Sequence, residues 1–178
     1  FQKFQHLCMQ NTNGEKAALT LGAHRESIEV MGDPKYDALQ PMSNEEKKRF
    51  RQTFKLNAET PVWIAGSTHA GEEVIILKAH RQLLIKHPNL VLILAPRRME
   101  RVEELIALLK KENFSFSLRS SPASTESASV ILLDTMGELA QIYSLGQVAF
   151  IGNSLIKPGG GHSLIEPLSH GLAVLHGP

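Results

Sequence analysis

Three consecutive glycines, Gly159, Gly160 and Gly161, stand directly before a short predicted helix that carries Glu166. Glycine has the largest backbone entropy to lose on folding, so a run of glycines needs a compensating reason. Backbone amides that lead into a helix N-terminus can bind phosphate or carboxylate. A flexible loop with a tight turn would have the same composition. The spacing alone leaves both interpretations open.

The carboxylate of Glu166 also has two interpretations. Ser163 and Glu166 match the S-x-x-E spacing of a capping box, in which the glutamate bonds back to the serine amide. Near a phosphate site, a carboxylate could instead accept hydrogen bonds from ribose hydroxyls. From the spacing alone, the capping box is favoured.

The segment TMGEL has the same ambiguity. Thr135 and Glu138 are again spaced as a capping box, and the backbone of Met136, Gly137 and Glu138 could face a ligand. A glycine in the first turn of a helix costs stability relative to alanine. This favours a close approach of a ligand to the backbone at Gly137.

Several cationic side chains could bind an anion. Arg97 and Arg98 follow Pro96 at a predicted strand end, and guanidinium groups suit bidentate anion binding. Base rates nevertheless favour a solvated pair. Lys35 in GDPKYD could be a phosphate ligand or a surface lysine, and His69 is more often a polar residue at a helix start than a ligand.

The elements that would position these residues alternate between apolar strands and amphipathic helices. Apolar strands that are each followed by a helix are typical of a parallel sheet covered on both faces. We therefore expect an α/β, Rossmann-like domain with helices on both faces, and ligands at the carboxyl ends of its strands. The predicted strands lie at 27–32, 62–66, 90–95, 129–134 and 147–152, with a weaker one at 115–120 and a last one at 172–177.

The predicted helices are amphipathic. Ser43 and Glu46 form a capping box before the first long one. Ile76, Ala79, Leu83 and Leu84 form the apolar side of the helix at 72–87, and Val102, Leu105, Ile106 and Leu109 that of the helix at 99–113. Residues 1–25 are expected to contain a helix, and 119–128 a polar surface loop.

Composition bounds the class of protein. The 178 residues suit one domain of 1–178, and the balance of 42% hydrophobic and 21% charged residues indicates a soluble, folded chain. A net charge of +1 does not favour nucleic-acid binding. Cys8 is the single cysteine, which excludes an internal disulfide and fits a reducing compartment. The abrupt ends predict a fragment of a longer protein.

Other standard sites are missing from the sequence. It has no transmembrane run or signal peptide, no G-x-G-x-x-G after the first strand, no Walker P-loop and no G-x-S-x-G. No cluster has metal-ligand spacing, so no metal is expected. The residues alone thus predict an α/β domain that binds a phosphorylated ligand at its strand ends.

The order of the motifs is more specific than any one of them. GDPKYD, VWIAGSTHAGEE, LAPRRMER, DTMGEL, FIGNSL, GGGHSLIEP and AVLHGP resemble, over essentially the whole chain, the carboxyl-terminal half of 3-deoxy-D-manno-octulosonic acid (Kdo) transferases. This resemblance implies the carboxyl-terminal half of a two-domain GT-B glycosyltransferase of lipopolysaccharide biosynthesis. The domain present would bind the donor, CMP-Kdo, and the absent amino-terminal domain would hold the lipid A precursor and the catalytic carboxylate.

The resemblance also implies roles for individual residues. Lys35 would stabilise the transition state, and the CMP contacts would be Pro96, Arg97, Met136, Gly137, Glu138, Ser163, Leu164, Ile165 and Glu166. Three positions depart from the family pattern: Ser163 stands where asparagine is usual, Arg98 where histidine is common, and GDPK replaces GN-x-K. The hydrogen bond made at Ser163 is therefore expected to differ.

The resemblance further implies inverting transfer without a metal or cofactor. The full-length protein would associate with the cytoplasmic face of the bacterial inner membrane, whereas this chain would be soluble, would bind CMP and would transfer nothing. Two other interpretations remain: a GT-B transferase that uses a UDP- or ADP-sugar, and a stand-alone nucleotide-binding module. A preference for cytidine monophosphate over nucleoside diphosphates would distinguish a Kdo transferase from the first of these. An upstream acceptor domain in the gene would exclude the second.

Overall fold

The structure is a computed structural model that describes residues 1, 3–37, 42–121 and 128–178. The chain divides into two compact units, Phe1–Gln40 and Pro41–Pro178. All of the predicted CMP contacts fall in the second unit, whereas Lys35 falls in the first.

The first unit is a small βαβ arrangement. Strands β1 and β2 are parallel, with Leu7 opposite Ile28. The predicted helix between them is present, and the Asn11 side chain caps it by accepting two backbone N–H bonds. The elements are β1 Leu7–Met9, α1 Thr12–Thr20, β2 Ile28–Val30 and α2 Pro34–Asp37.

The strand predicted at 27–32 therefore exists, but its assignment to the main sheet is wrong. Among the described residues it pairs with β1, a strand that the sequence analysis did not identify. Glu29 and Val30 are both exposed, so β2 lacks the apolar faces of a central parallel strand.

The second unit carries the main sheet. Its strands are β3 Val62–Thr68, β4 Val91–Pro96, β5 Phe116–Leu118, β6 Val130–Leu132, β7 Val148–Ile151 and β8 Ala173–Leu175. Its helices are α3 Asn44–Thr53, α4 Glu72–Lys86, α5 Val102–Lys111, α6 Leu139–Ile142 and α7 Ile165–Ser169. Short 3₁₀ turns precede α5 and follow α6 at Met99–Arg101 and Tyr143–Leu145.

The sheet is parallel throughout, with the strand order β5-β6-β4-β3-β7-β8. From β3 the chain moves outward to β4 on one side, and it later returns to place β7 on the other side of β3. The strand order thus reverses at β3, and Ala65 pairs with Leu94 of β4 and Phe150 of β7. A crevice forms at such a switch in parallel sheets.

Both faces of the sheet are buried, which confirms the predicted architecture. Successive strand residues point to opposite faces. Trp63 and Ala65 pack with the core beneath α4 and α5. Val62 and Ile64 pack with the core on the opposite face, where Phe54 and Ile142 contribute.

The helices agree with the prediction in part. Ser43 and Glu46 form the predicted capping box, since each side chain bonds the other's backbone N–H, at 3.3 and 2.8 Å. In α5, Leu105 and Leu109 are fully buried as predicted. Most of the predicted loop at 119–128 lies outside the described residues.

The predicted apolar side of α4 is partly wrong. Ile76 is buried and Leu84 is partly buried, but Ala79 and Leu83 are exposed. Leu77 and a histidine lie inside instead. The side of α4 that packs on the sheet is therefore rotated about the helix axis from the apolar side that the sequence predicted.

His80 is the buried histidine of α4. Trp63 Nε1 donates to its Nδ1 at 3.1 Å, and its Nε2 lies 2.9 Å from the Ser129 carbonyl oxygen. Accepting at Nδ1 leaves Nε2–H as the donor to Ser129. A histidine satisfied at both nitrogens can replace an apolar residue in a core, which a pattern of hydrophobic positions does not reveal.

Candidate functional site

A cavity of about 340 Å³ opens at the carboxyl ends of the strands, beside the switch in strand order. This volume falls within the range of small-molecule sites. Its lining comes from the end of β3 and from the segments after β4, β6 and β7. The lining residues are Ser67, Arg97, Gly137, Leu139, Ala140, Tyr143, His162, Ser163 and Glu166.

The cavity brings together four of the predicted CMP contacts. Arg97, Gly137, Ser163 and Glu166 come from three separate motifs and line the same space. The other five predicted contacts do not line it: Pro96, Met136, Glu138, Leu164 and Ile165. Pro96 is buried in β4 opposite Thr68, and Leu164 packs against the hydrophobic core.

Ser67 forms an irregularity at the end of β3. Gly66 pairs with Ala95 and Thr68 pairs with Pro96, so Ser67 is an extra residue in the strand. Its φ of +54° is uncommon for a residue that is not glycine. Bulges and uncommon backbone conformations occur often beside functional sites, where they redirect a side chain.

Arg97 and Arg98 differ in surroundings although they are adjacent. The Arg97 N–H donates to the Thr68 carbonyl at 3.0 Å, which ties the segment after β4 to the end of β3. Arg97 lines the cavity. Arg98 lies outside the lining, and its guanidinium is 3.9 Å from the exposed carboxylate of Glu100.

Gly137 stands in a bend before α6 rather than in the first turn of a helix, so that part of the prediction is wrong. Helix α6 begins at Leu139. Gly137 has φ +83°, and nothing lies within 4 Å of the position that a Cβ would occupy. Glycine suits the left-handed backbone here, and the space beside it is open. Met136 next to it is 79% exposed.

The Glu138 carboxylate is engaged within the protein. Arg119 donates to it in a two-nitrogen arrangement, with Nη2–Oε1 at 2.8 Å and Nε–Oε2 at 3.2 Å. The Thr135 hydroxyl also donates to this carboxylate. The capping-box interpretation of Thr135 and Glu138 therefore does not hold, since their side chains contact each other instead. The Arg119 bond is the main cause that holds the pKa of Glu138 below its usual range.

The three glycines all adopt left-handed backbone, with φ of +62°, +110° and +70°. The Gly161 N–H donates to the Asn153 carbonyl at 2.7 Å, and Asn153 Nδ2 donates to the Gly159 carbonyl at 3.3 Å. A Cβ on Gly159 would lie 2.8 Å from the Ile156 carbonyl oxygen. Backbone conformation and internal bonding thus account for the glycines, and none of them lines the cavity.

Helix α7 starts one residue too late for the predicted capping box. Its N-cap is Leu164, without a side-chain bond, and Ser163 Oγ accepts a long 3.4 Å bond from the Ile165 N–H. The favoured interpretation of Glu166 as a capping partner of Ser163 is therefore wrong. Both side chains belong to cavity-lining residues instead.

A buried carboxylate that the sequence analysis did not single out holds the loop after β7. Glu72, the first residue of α4, is fully buried. It accepts backbone N–H bonds from His69, Asn153, Ser154 and Leu155 at 2.8–3.0 Å.

Two opposing effects act on this carboxylate. Burial raises the pKa of Glu72, but the four N–H bonds outweigh it and hold the pKa below its usual range. Glu72 is therefore ionised at neutral pH. It fixes the start of the segment that leads into the glycines.

Tyr143 forms part of the cavity lining and is only 2% exposed. Within the part of the chain that the structure describes, no hydrogen bond reaches its hydroxyl. Burial, followed by the charge of Glu166, raises the pKa of Tyr143 well above its usual range, so the hydroxyl keeps its proton. A Cβ on Gly66 would overlap this hydroxyl, so Gly66 makes room for Tyr143.

Two histidines meet at the edge of the cavity. The Nε2 atoms of His69 and His162 are 3.0 Å apart, and the rings stack with centroids at 5.2 Å. Burial, followed by the charges of Arg97 and His69, lowers the pKa of His162. His69 is thus a partner of a cavity-lining side chain and not only a polar residue at a helix start.

Lys35 lies in α2 of the first unit. Its side chain is exposed, and its backbone N–H donates to Asp33 Oδ1 at 3.0 Å. The role implied for it by family resemblance stays a prediction.

Other possible sites are less suited to this chemistry. A second cavity of about 390 Å³ lies at the opposite ends of the strands, near Val91 and Ser129. Ligands of parallel sheets bind at the carboxyl ends.

In residues 1, 3–37, 42–121 and 128–178, no three His, Cys, Asp or Glu side chains group as metal ligands. None of the helices in these ranges has the length and hydropathy of a membrane span.

Sequence reasoning missed several residues of the site for an identifiable reason. Ser67 and His69 stood in a polar cluster recognised at a strand end, and His162 stood between the glycines and Ser163. Their order along the chain gave no sign that His69 and His162 would touch. Tyr143 follows an apolar helix pattern, which predicts a core residue rather than a cavity wall.

No family model matches the chain, but individual relatives identify its family. It is 44% identical to a 3-deoxy-D-manno-octulosonic acid transferase of Haemophilus influenzae over 94% of its own length, and spans 39% of that relative. It is 33% identical to the transferase of Chlamydophila psittaci over its whole length, and spans 40% of that relative.

Solved structures agree with this result. The crystal structure of the C-terminal CMP-Kdo binding domain of WaaA from Acinetobacter baumannii aligns with a TM-score of 0.67 and 37% identity, over 73% of this chain and 67% of that one. Anabaena HepE, at 15% identity and a TM-score of 0.53, supports the fold alone. The chain, with its parallel sheet and strand-end cavity, thus belongs to the 3-deoxy-D-manno-octulosonic acid transferase family and is similar to the C-terminal domain of that WaaA.

Proposed function

We propose that this chain binds the CMP moiety of CMP-Kdo in the strand-end cavity and serves as the donor domain of a Kdo transferase. The observation that carries the proposal is the convergence of Arg97, Gly137, Ser163 and Glu166, from three distant motifs, on one cavity at the switch in strand order. The similarity to a CMP-Kdo binding domain supports the same ligand.

The chemistry of the lining suits a nucleoside monophosphate. Arg97 is the cation of the lining and can neutralise a phosphate by a charge-assisted hydrogen bond. Glu166 is its carboxylate and can accept hydrogen bonds from ribose hydroxyls. Ser67 and Ser163 add hydroxyl groups that can donate to phosphate oxygens. The open space at Gly137 allows a flat base to approach the backbone.

We assign the glycines an indirect role in this site. Gly159, Gly160 and Gly161 set the path of the loop that brings His162 and Ser163 to the cavity, rather than donating their amides to the phosphate. The support is their left-handed backbone and the Gly161 bond to Asn153. Met136, Gly137 and Glu138 would contact the nucleotide through their backbone, since the Glu138 carboxylate is held by Arg119.

For the whole enzyme we propose inverting, metal-independent transfer of Kdo from CMP-Kdo to a lipid A precursor at the cytoplasmic face of the inner membrane. The catalytic base and the acceptor site would belong to an amino-terminal domain, and Lys35 would stabilise the transition state. Charge that grows on the departing phosphate would be stabilised by fixed donors. This chain alone would bind CMP without transferring sugar.

The test is a calorimetric titration of the chain with CMP, UMP and UDP. We expect CMP to bind most tightly, and we expect Arg97→Ala and Glu166→Ala each to weaken it about tenfold or more, as for the loss of a hydrogen bond to a charged group. Arg98→Ala is the matched control, because Arg98 lies outside the lining, and it should leave affinity nearly unchanged.

The outcomes are distinct. Tighter binding of UDP would favour another GT-B transferase with a UDP-sugar donor. Equal loss in the Arg97 and Arg98 variants would show that the cavity is not the site. Detectable sugar transfer by the chain alone would contradict the assignment of the base to another domain.

A further inference from the structure

The contact between His69 and His162 determines which ring nitrogens of the two side chains can carry a proton. Their Nε2 atoms are 3.0 Å apart, so one ring must donate an N–H and the other must accept it. A neutral ring that donates from Nε2 has a bare Nδ1, whereas the ring that accepts at Nε2 carries its proton on Nδ1. In the neutral pair, therefore, one of the two Nδ1 atoms is a donor.

An anion in the cavity would select between these arrangements. His162 lines the cavity, and among the described residues its ring is hydrogen-bonded through Nε2, to His69, and not through Nδ1. If His69 donates, His162 carries its proton on Nδ1 and can offer it to an anion. One additional proton would place an N–H on both Nδ1 atoms while the contact between the Nε2 atoms is kept.

The neighbours of the pair oppose that additional proton when the site is empty. Partial burial of His162 acts against it most, followed by the positive charge of Arg97 on the segment after β4. The charge of Glu72 in α4 favours it, but this is the smallest of the four effects on His162. Glu166 and Tyr143 are the other titratable groups of the lining.

A dianionic phosphate would reverse this balance, since two negative charges beside Arg97 leave a net negative site. We propose that His162 contacts the phosphate of the bound nucleotide, that His69 is its positioning residue, and that the pair takes up a proton when a phosphate monoester occupies the cavity. This inference rests on the proposed CMP site. It gives that site a preference for the dianionic product phosphate over the monoanionic phosphodiester of a donor.

The preference has a direct consequence for sugar transfer. The phosphate of a nucleoside monophosphate sugar such as CMP-Kdo is a phosphodiester with one negative charge. It gains a second charge when the bond to the sugar breaks, because its oxygen keeps the electron pair of that bond. A pair whose proton affinity rises with that charge binds the departing group more strongly than the substrate. Such differential binding lowers the barrier to the transfer step.

The experiment measures proton uptake directly. CMP is titrated into the chain at about pH 7.5, where a phosphate monoester with a second pKa near 6 is dianionic. Titrations in two buffers of different ionisation enthalpy give the number of protons bound per CMP. We expect at least about 0.3 proton per CMP for the unmodified chain, because a ligand whose charge favours protonation of the pair must take up protons when it binds. The methyl ester of CMP, a monoanion, should cause clearly less uptake.

The variants separate the pair from other sources of protons. His69→Gln and His162→Gln keep a polar side chain without a titratable ring, and each should abolish the uptake. His87→Gln is the control, because His87 is exposed just beyond the end of α4 that lies away from the cavity, and uptake should persist. Unchanged thermal unfolding midpoints would confirm that the variants fold.

The outcomes distinguish the inference from the proposed function. If CMP binds without proton uptake, or if uptake persists in both histidine variants, the histidine pair is not the proton acceptor and this inference fails alone. If CMP does not bind, the proposed function fails and the inference fails with it.

Discussion

Glu72 accepts the backbone N–H of Asn153 at 2.8 Å, although the two residues are 81 positions apart in the sequence. The bond joins the first turn of α4 to the loop that follows β7. Ser154 and Leu155 donate to the same carboxylate at 2.9 and 3.0 Å. One buried charge thus ties the start of α4, which follows β3, to the loop after β7, and His162 and Ser163 further along that loop line the cavity.

The first prediction concerns this carboxylate. Glu72→Gln should lower the free energy of unfolding at neutral pH by about 2–4 kcal/mol, because an amide accepts the four N–H bonds poorly and a bond to a charged group contributes more than a neutral one. Urea unfolding measures the change. Glu103→Gln, an exposed position of α5, is the control and should be nearly neutral.

The stabilising effect of Glu72 should depend on pH in a definite direction. Because its folded-state pKa lies below the ordinary value of 4.5, the unfolded chain binds the proton more readily. The stabilisation is therefore complete above pH 4.5 and is lost as the pH falls through the folded-state pKa. The difference in unfolding free energy between the unmodified chain and Glu72→Gln should become smaller in that acid range. A larger difference at low pH would contradict the prediction.

The second prediction concerns the space that Gly66 leaves for Tyr143. Gly66→Ala should cost about 1–3 kcal/mol of unfolding free energy, as overpacking in a core does. Adding Tyr143→Phe should recover part of this cost, because it removes the overlapping hydroxyl and leaves the ring carbon Cζ at 2.9 Å as the nearest atom. A double-mutant cycle by urea unfolding measures the coupling. Strict additivity would show that the two residues do not compete for the same space.

The third prediction separates the effect of backbone conformation from that of side-chain volume at Gly161. Its φ is +70°, and nothing lies within 4 Å of the position that a Cβ would take. Asparagine tolerates left-handed backbone, whereas a β-branched residue does not. Gly161→Asn should therefore destabilise by less than about 1 kcal/mol and Gly161→Val by about 1–2 kcal/mol or more. Thermal unfolding measures both, and equal costs would point to crowding by side-chain volume instead.

The fourth prediction concerns Glu138, whose carboxylate is held by Arg119 and Thr135. Glu138→Gln should lower stability by about 1–2 kcal/mol, the usual contribution of a partly buried charged bond. CMP affinity should change much less than in Arg97→Ala. Urea unfolding and CMP titration of the same variant give the two values. Loss of affinity equal to that of Arg97→Ala would mean that the carboxylate leaves Arg119 to meet the nucleotide.

The sequence was sufficient for the features that depend on local patterns. Continuous apolar runs such as Val91–Pro96 predicted buried parallel strands, because both faces of such strands are covered. The convergence of Arg97 and Glu166 followed from a general property of these sheets, whose strand ends lie at one edge. The spacing of Ser43 and Glu46 was enough to predict their capping box, since that motif is complete within four residues.

Features that depend on contacts between distant segments could not be predicted in this way. The Ser163 capping box failed because Ser163 and Glu166 face the cavity, and the helix begins one residue later. The buried position of His80 depends on partners from β3 and from the segment before β6. The bonds of Glu72 to the 153–155 backbone, and the contact of His69 with His162, exist only once the sheet has formed.

The origin of the cavity walls makes ligand binding a reporter of complete folding. Ser67, Arg97, Gly137 and His162 belong to the ends of four different strands or the segments after them, so no single hairpin or helix pair contains the site. A partly folded chain would have no affinity for the nucleotide, and the bound fraction would count only fully assembled molecules. Saturating ligand should in turn stabilise the chain by about 2.7 kcal/mol at one hundred times its dissociation constant. A nucleotide-dependent rise in the melting temperature would therefore sort well-folded preparations from collapsed ones before any enzymatic assay.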